Sequence, residues 1–280
     1  MSKKKKGDIT MLTYSFMRVA LVVAILLGIS LPLVGAPAVF RRMSSSGDAL
    51  AHSSLAGIAI GLASGFSTIW MSIISCFVSL LIIELLRKKF NKFSEIGVAV
   101  VLSSAIALAG ILSSYTKSSN FDSYLFGSIL LISNTELYLC IALCVAILLF
   151  SIVFYPQIFA SLYSGDEARV SKIKSSWLQF GLDLLLALTI AIGSKIVGSL
   201  VVSSLIVIPV ATSLILKKGY KVTIALSVLL SVVSMVGGLI AAYYLDWKPG
   251  ATIVGVGVAI LLLVALFKAL TTFLKQKKSH

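Results

Sequence analysis

Residues 14–40 read YSFMRVALVVAILLGISLPLVGAPAVF and carry a single charged side chain, that of Arg18. A helix of about 20 residues crosses roughly 30 Å of hydrocarbon, so a run of this length and composition is long enough to span a membrane. Further apolar stretches of similar length follow near 68–87, 96–114, 135–155, 177–197, 199–216, 222–245 and 250–274. The sequence therefore predicts an all-α, polytopic membrane helical bundle with about eight transmembrane helices.

One more apolar piece, 49–63, is shorter than a comfortable span and is rich in Gly, Ala and Ser. We expect a short broken or re-entrant segment near 49–63. If this piece crosses fully, the bundle has nine crossings instead of eight.

The composition places the chain in a bilayer. Hydrophobic residues make up 59% of the 280 residues, charged residues 12%, and the mean hydropathy is +1.06. A water-soluble domain of this composition would expose much apolar surface to water, whereas hydrocarbon accepts that surface. The formal charge of +14 does not indicate nucleic-acid binding, because the basic residues form short clusters at the ends of apolar runs. We expect one transmembrane domain, 1–280.

The basic clusters also predict the orientation, because positive charge gathers on the cytoplasmic side. With eight crossings, the lysines at 3–6 are cytoplasmic, whereas Arg41 and Arg42 lie outside. We interpret the apolar run after 3–6 as the first membrane helix, since it is too long for the core of a cleaved signal peptide. The expected cytoplasmic clusters are Arg87, Lys88 and Lys89; Lys172 and Lys174; Lys217, Lys218 and Lys221; and Lys275, Lys277 and Lys278.

The longest hydrophilic interruption, 156–176, is cytoplasmic in this topology. It is long enough to hold a short helix that lies against a soluble partner. A plain solvated loop is equally compatible with its composition.

Asp48 and His52 are the strongest candidates for chemistry. They stand four positions apart in GDALAH, 47–52, which on a helix places both on one face with about 5–6 Å between their β-carbons. Carboxylate oxygen and imidazole nitrogen are ligands for zinc and are tolerated by manganese. Two ligands do not close a site, but a two-fold dimer would repeat the pair and supply four. Two other interpretations stay open: a hydrogen-bonded polar pair, or Asp48 as the N-cap of a helix that begins at Ala49.

Other polar residues in the apolar runs have structural interpretations. Glu84, Glu136 and Asp183 stand near segment ends, where they reach the interface. The glycines at 57, 61 and 65 allow close helix contact. The cysteines Cys76, Cys140 and Cys144 lie inside apolar runs; Cys140 and Cys144 share a helical face, which permits metal ligation but is more common as packing.

The run 197–213 predicts a helix that carries several polar side chains and an interior proline. A proline removes one backbone hydrogen bond and frees a carbonyl that could line a pathway, although a kink for packing is an equal alternative. The candidate pathway or kink residues are Ser203, Ser204, Pro209 and Thr212.

The sequence does not predict an enzyme or an intrinsic cofactor. It contains no GxxxxGK[ST] phosphate loop and no HExxH, GxSxG or CxxC motif. Any ATP hydrolysis would therefore belong to a separate subunit.

Residues 41–65, RRMSSSGDALAHSSLAGIAIGLASG, resemble the motif region of permease subunits of the bacterial ATP-binding-cassette importers for zinc, manganese and iron, with Arg-x-Met followed by Gly-Asp-x-x-x-His. Weaker similarity lies at 124–127 (YLFG), at 166–170 (DEARV) and at 198–212, so the resemblance covers nearly the whole chain in order. The sequence Ala-His-Ser-Ser-Leu at 51–55 is more similar to the zinc members of the family than to the manganese members.

The resemblance implies a homodimeric permease in the bacterial cell membrane, with two ATP-binding subunits on the cytoplasmic face and an extracytoplasmic metal-binding lipoprotein. It implies that Asp48 and His52 coordinate the transported Zn²⁺ or Mn²⁺, zinc being favoured. It also implies that a segment containing Asp166, Glu167, Ala168 and Arg169 couples the permease to the ATPase. The rival functions are a secondary metal transporter driven by an ion gradient and an anchoring subunit that moves nothing.

Overall fold

The computed structural model describes residues 13–41, 43–90, 94–115, 124–125, 127, 132–163, 175–216 and 218–277. The secondary-structure elements of this part of the chain are all helical, which confirms the predicted all-α membrane bundle. The helices are α1 (Ser15–Phe40), α2 (Ser44–Ser64), α3 (Thr68–Lys89), α4 (Ser94–Ser113), α5 (Asn134–Val153), α6 (Tyr155–Tyr163), α7 (Ser175–Val197), α8 (Ser199–Ile215), α9 (Tyr220–Leu245) and α10 (Pro249–Lys277).

Within the described residues, seven helices are long and apolar enough to cross a membrane: α1, α3, α4, α5, α7, α9 and α10. Helix α1 lies at the centre of the bundle, where it packs against α9, α8, α5 and α7. Helix α10 has the smallest buried share of the seven. The short helix α6 falls partly in the interval 156–176, where a helix was one of two expectations.

Helix α2 runs antiparallel to α3 along its length. The Cys76 thiol donates to the carbonyl of Leu50 at 3.3 Å, and the hydroxyls of Ser54 and Ser72 share a hydrogen bond of 2.8 Å. Residue numbers therefore rise along one helix as they fall along the other. At about 1.5 Å per residue the 21 residues of α2 measure roughly 30 Å, which is enough to cross the hydrocarbon beside α3.

The expectation of a broken or re-entrant segment near 49–63 is wrong, because these residues lie inside the unbroken helix α2. The small residues do not break α2 but allow α3 to pack closely against it. A β-carbon on Gly57 would collide with the backbone of α3 at Met71, and one on Gly61 would crowd Thr68. Glycine is tolerated in a membrane helix where a neighbouring backbone approaches this closely.

An ion cluster joins α1, α3 and α7 at one end of the bundle. Arg41, at the end of α1, contacts the Asp183 carboxylate of α7 at 3.2 Å. Arg87, in the last turn of α3, contacts Glu84 at 2.7 Å and Asp183 at 3.8 Å. Because Arg87 begins the cytoplasmic cluster of α3, the end of α1 at Arg41 is cytoplasmic as well.

This cluster corrects the expected outer position of Arg41. Helix α1 ends at the cytoplasmic face, α2 leaves from that face, and α3 returns to it. Counting α2 and α8, the packing of the described residues favours nine crossings, so α1 begins on the outer side. The lysines at 3–6 and Arg42 lie outside the described residues.

A second charge pair marks the opposite end of the bundle. Lys195, near the end of α7, contacts Glu136 of α5 at 2.5 Å. Glu136 also completes a capping box with Ser133 at the start of α5, which satisfies backbone donors at that helix end. Glu84, Glu136 and Asp183 each have a basic partner, which is compatible with the structural interpretation, although Glu136 and Asp183 are buried and do not reach the interface.

We expect the start of α1 and the end of α3 to react from opposite sides of the membrane. In a variant without native cysteines, Tyr14→Cys should be labelled by a membrane-impermeant maleimide in intact cells, whereas Phe90→Cys should be labelled only after permeabilisation. Both side chains are exposed, at 49% and 40%, so reagent access differs only by side. Equal labelling of the two positions in intact cells, or protection of both, would contradict nine crossings.

We expect Asp183→Asn to lower the free energy of unfolding by about 3 kcal/mol, because it leaves two arginines without their shared buried carboxylate. Glu84→Gln is the matched control. It also removes a carboxylate from Arg87 but leaves Arg41 paired, and the Glu84 side chain is 24% exposed against 6% for Asp183, so the loss should be about 1 kcal/mol or less. The free energy of unfolding of both variants is measured in mixed micelles, with circular dichroism as the signal. An equal loss for the two variants would contradict the shared role of Asp183.

Candidate metal site

Asp48 and His52 lie on one face of α2, near its cytoplasmic end. Asp48 is exposed and His52 is half-buried, and the Asp48 carboxylate is close enough to interact electrostatically with the imidazole. The structure therefore brings the predicted pair together. The capping interpretation of Asp48 is wrong, since α2 begins at Ser44 with Met43 as its N-cap and Asp48 is already a full turn inside the helix.

One face of α2 is fixed by hydrogen bonds to α3, and α3 is in turn bonded to α7. Ser75 of α3 donates to the carbonyl of Ser53 at 2.7 Å. Ser72, which already shares a hydrogen bond with Ser54, donates at 3.1 Å to the carbonyl of Ala191 in α7. These bonds fix the rotation of α2 about its own axis, so the turn that carries Asp48 is held with that side chain exposed.

The described residues of one chain do not supply a complete set of metal ligands. In the described part of the chain, no group of three or more His, Cys, Asp or Glu side chains is close enough to hold a metal ion. A carboxylate and an imidazole can ligate an ion together, but a tetrahedral site needs two more donors. Because Asp48 is exposed, a second chain or solvent can supply further donors.

Helix α8 packs beside the first turns of α2. A β-carbon on Gly47 would lie 3.5 Å from the Ile206 side chain, so α8 flanks the residue before Asp48. The hydroxyl of Ser46 is buried and has no hydrogen-bond partner among the described residues, which leaves one polar group available within this contact.

The four predicted pathway or kink residues of α8 separate into two pairs. Ser203 and Ser204 are partly exposed, and both hydroxyls donate to the carbonyl of Leu200. Pro209 and Thr212 are buried, and Thr212 donates to the carbonyl of Ile208 at 2.7 Å. The four side chains therefore do not form one surface, and only the serines lie on a partly open face.

The coupling residues Asp166, Glu167, Ala168 and Arg169 lie outside the described residues, so their role remains a prediction. The described residues on either side of these four are α6 and the start of α7, both on the cytoplasmic side. Ile158 of α6 packs with Leu178 of α7 and with Tyr220 of α9.

The cysteines lie away from the Asp48 and His52 pair, except for Cys76, whose thiol bonds the backbone of α2 at Leu50. Cys140 and Cys144 are buried in α5. With no third ligand near them in the described chain, their arrangement fits packing.

Sequence reasoning missed the partner of Asp183. The pairing with Arg41 spans 142 positions in sequence, and no local pattern connects them. One signal was available, because a carboxylate inside an apolar run needs a basic partner.

The comparisons with known proteins agree with this fold. Residues 13–269 match the ABC 3 transport family. A probable metal transport system membrane protein of Treponema pallidum is 36% identical over 255 residues, covering 91% of this chain and 96% of that protein. The high-affinity zinc uptake system membrane protein ZnuB of Haemophilus influenzae is 30% identical over 253 residues, covering 88% and 96%.

A manganese transport system membrane protein, MntC of Halalkalibacterium halodurans, is 26% identical over 275 residues, covering 96% of this chain and 94% of that protein. Among solved structures, a chain of PsaBC from Streptococcus pneumoniae in complex with Fab is similar with a TM-score of 0.81 and 26% identity, covering 91% of this chain and 92% of that chain. With its apolar helices and with relatives along nearly its full length, this chain belongs to the ABC 3 transport family and is a multi-pass protein of the bacterial cell membrane.

Proposed function

We propose that this chain is the permease subunit of an ATP-binding-cassette importer that moves a divalent metal ion, zinc or manganese, into the cytoplasm. In this proposal Asp48 and His52 hold the ion transiently, and two copies of the chain contribute the pair about a two-fold axis. The observation that carries the proposal is the exposed carboxylate beside a half-buried imidazole, on a helix that hydrogen bonds to α3 hold in place.

The incompleteness of the site supports a dimer. Two donors from one chain hold an ion weakly, whereas a second copy supplies a second carboxylate and a second imidazole. An isologous interface repeats the same face on both chains, so an exposed position near the axis meets its own copy. A site assembled from two chains can also release its ion when the chains move apart.

The relatives are named for both zinc and manganese transport, and the donor set suits both ions. Imidazole favours zinc more than manganese, which is the chemical reason for placing zinc first. We propose zinc as the preferred ion and manganese as the competitor.

The energy source in this proposal is ATP hydrolysed by separate subunits that bind the cytoplasmic face, with 156–176 as the coupling segment. This segment contains most of α6 and leads into α7. Helix α7 carries Asp183, which contacts the end of α1 just before α2. A displacement of α7 would therefore move the end of α1 and, with it, the start of α2, which carries Asp48. A metal-binding lipoprotein would deliver the ion on the outer side.

An ion-gradient-driven secondary transporter is the alternative. Such a protein needs intramembrane acids that bind and release a coupling ion. Of the acids buried in the described helices, Asp183 and Glu136 both have basic partners, so neither is suited to that task. Inactivating the ATPase subunit should stop uptake by the proposed importer, whereas a protonophore at constant ATP should stop only the alternative.

We expect Asp48→Asn and His52→Gln each to lower metal uptake at least about tenfold, because in a dimer each substitution removes two ligands at once. Uptake of radioactive zinc and manganese in a strain without other importers measures this, with membrane insertion checked by the amount of protein in the membrane fraction. Glu95→Gln is the control, since Glu95 is an exposed carboxylate of α4. Full uptake by properly inserted Asp48→Asn and His52→Gln variants would refute the site.

We expect Ser45→Cys to form a cross-linked dimer in membranes of a variant without native cysteines. Ser45 is exposed and stands three positions before Asp48, so it shares that face and lies close to its own copy at a two-fold axis. A short bifunctional thiol reagent followed by denaturing electrophoresis detects the product. Val233→Cys of α9, exposed at 47%, is the control for random collision. Equal cross-linking of both variants, or none for Ser45→Cys despite maleimide labelling, would contradict the dimer.

A further inference from the structure

A cavity of about 740 Å³ opens between α1, α5, α6 and α9. Its floor is one face of α1, formed by Ile29, Leu33 and Pro37 at four-residue intervals. One wall is the last part of α5, which includes Ile152, and the other is the first part of α9, which includes Val228. We call this cavity the α1 groove. All of these helix parts lie toward the cytoplasmic end, so the α1 groove lies in the inner leaflet.

The α1 groove is elongated and apolar. From Ile29 to Pro37 its floor extends roughly 12 Å along the helix, and its volume falls in the range of roughly 300–1,000 Å³ that small-ligand sites occupy. Its walls are aliphatic apart from Ser151 and the residues at the cytoplasmic mouth. A groove of this shape that opens to the bilayer fits a hydrocarbon chain.

The cytoplasmic mouth of the α1 groove is basic. Lys221 lines it, with its ammonium 5.3 Å from the centre of the Tyr155 ring, and Tyr220 lies beside it. A second cavity of about 340 Å³ adjoins the mouth and also includes Lys221. Among the described residues that line the two cavities, none is acidic. Lys218, at the same end, is exposed and adds positive charge.

Helix α9 begins at this mouth. Its N-cap, Gly219, provides no side chain for the first-turn N–H groups of α9, and such groups attract phosphate oxygens. Together with the Lys221 ammonium, they favour an anion at the mouth, directly beyond the apolar groove.

We propose that the α1 groove binds one anionic phospholipid of the inner leaflet, with an acyl chain along α1 and the headgroup phosphate at Lys221. The charge at the mouth, the apolar walls and the depth of the groove in the membrane all fit this occupant, because basic pockets between transmembrane helices on the cytoplasmic side recognise anionic headgroups. The occupant would fill the gap between α5 and α9 and pack α6 against the bundle. This proposal does not depend on the metal transported.

The test is native mass spectrometry of the full-length protein in detergent, titrated with dioleoyl-phosphatidylglycerol or with dioleoyl-phosphatidylcholine. We expect one phosphatidylglycerol per protomer to be retained in preference to phosphatidylcholine. Lys221→Gln should weaken retention about five-fold, the effect of one lysine near an anionic headgroup. Lys88→Gln is the matched control, since it removes the same charge from an exposed position at the same end of the bundle.

The groove itself is tested by Ala225→Trp, which places an indole in the exposed space between α1 and α9. It should abolish the preferential retention of phosphatidylglycerol, whereas Val233→Trp, on an exposed part of α9 outside the groove, should leave it unchanged. If Ala225→Trp does not fold, Ser151→Leu narrows the opposite wall and serves the same purpose.

Three outcomes would overturn the proposal. Equal retention of the two lipids would show that the mouth does not select an anion. An equal effect of Lys88→Gln and Lys221→Gln would indicate general attraction of charge. A change in the number of protomers with Ala225→Trp, without a change in lipid retention, would show that a second copy of the chain occupies the groove.

Discussion

Hydrocarbon neither donates nor accepts hydrogen bonds, so a polar group in this bundle is stabilised when it finds a partner inside the protein. Hydroxyls meet this condition locally by bonding a carbonyl one turn earlier, as Thr189 does with Leu185 and Ser227 does with Thr223. Charged groups meet it by pairing at the two ends, with Arg41, Arg87 and Asp183 at the cytoplasmic end and Lys195 and Glu136 at the other. The charges therefore fix which helix ends share a face of the membrane.

The first turns of α2 stand apart from this pattern. Hydrogen bonds to α3 hold the helix, yet Asp48 is exposed and His52 is only half-buried. A carboxylate that faces hydrocarbon is costly, so this face needs water, an ion or another protein surface. The incomplete donor set and the exposed carboxylate both favour a second copy of the chain at this face. That copy would cover the carboxylate and would complete the set of ligands.

The cytoplasmic end of α1 connects several features of the molecule. The ion pair of Arg41 with Asp183 connects this end of α1 to α7, which follows the segment 156–176. Helix α2 begins shortly after Arg41. The floor of the α1 groove is the last part of the same helix. A movement of α7 at this end would reach both α2, which carries Asp48, and the walls of the α1 groove, so these two features share one structural support.

The amino-acid sequence by itself determined the membrane location, the helical class, the approximate limits of the long apolar helices and the pairing of Asp48 with His52, because hydropathy and helical periodicity are local properties. It did not determine the course of 49–63, since small residues look the same whether they break a helix or admit a neighbour; only the contact of Gly57 with α3 decided it. The tertiary structure also decided that Arg41 is cytoplasmic and joins Asp183, and it separated Ser203 and Ser204 from Pro209 and Thr212. These are contacts between distant segments, and their energy depends on which helices become neighbours, which no local pattern encodes.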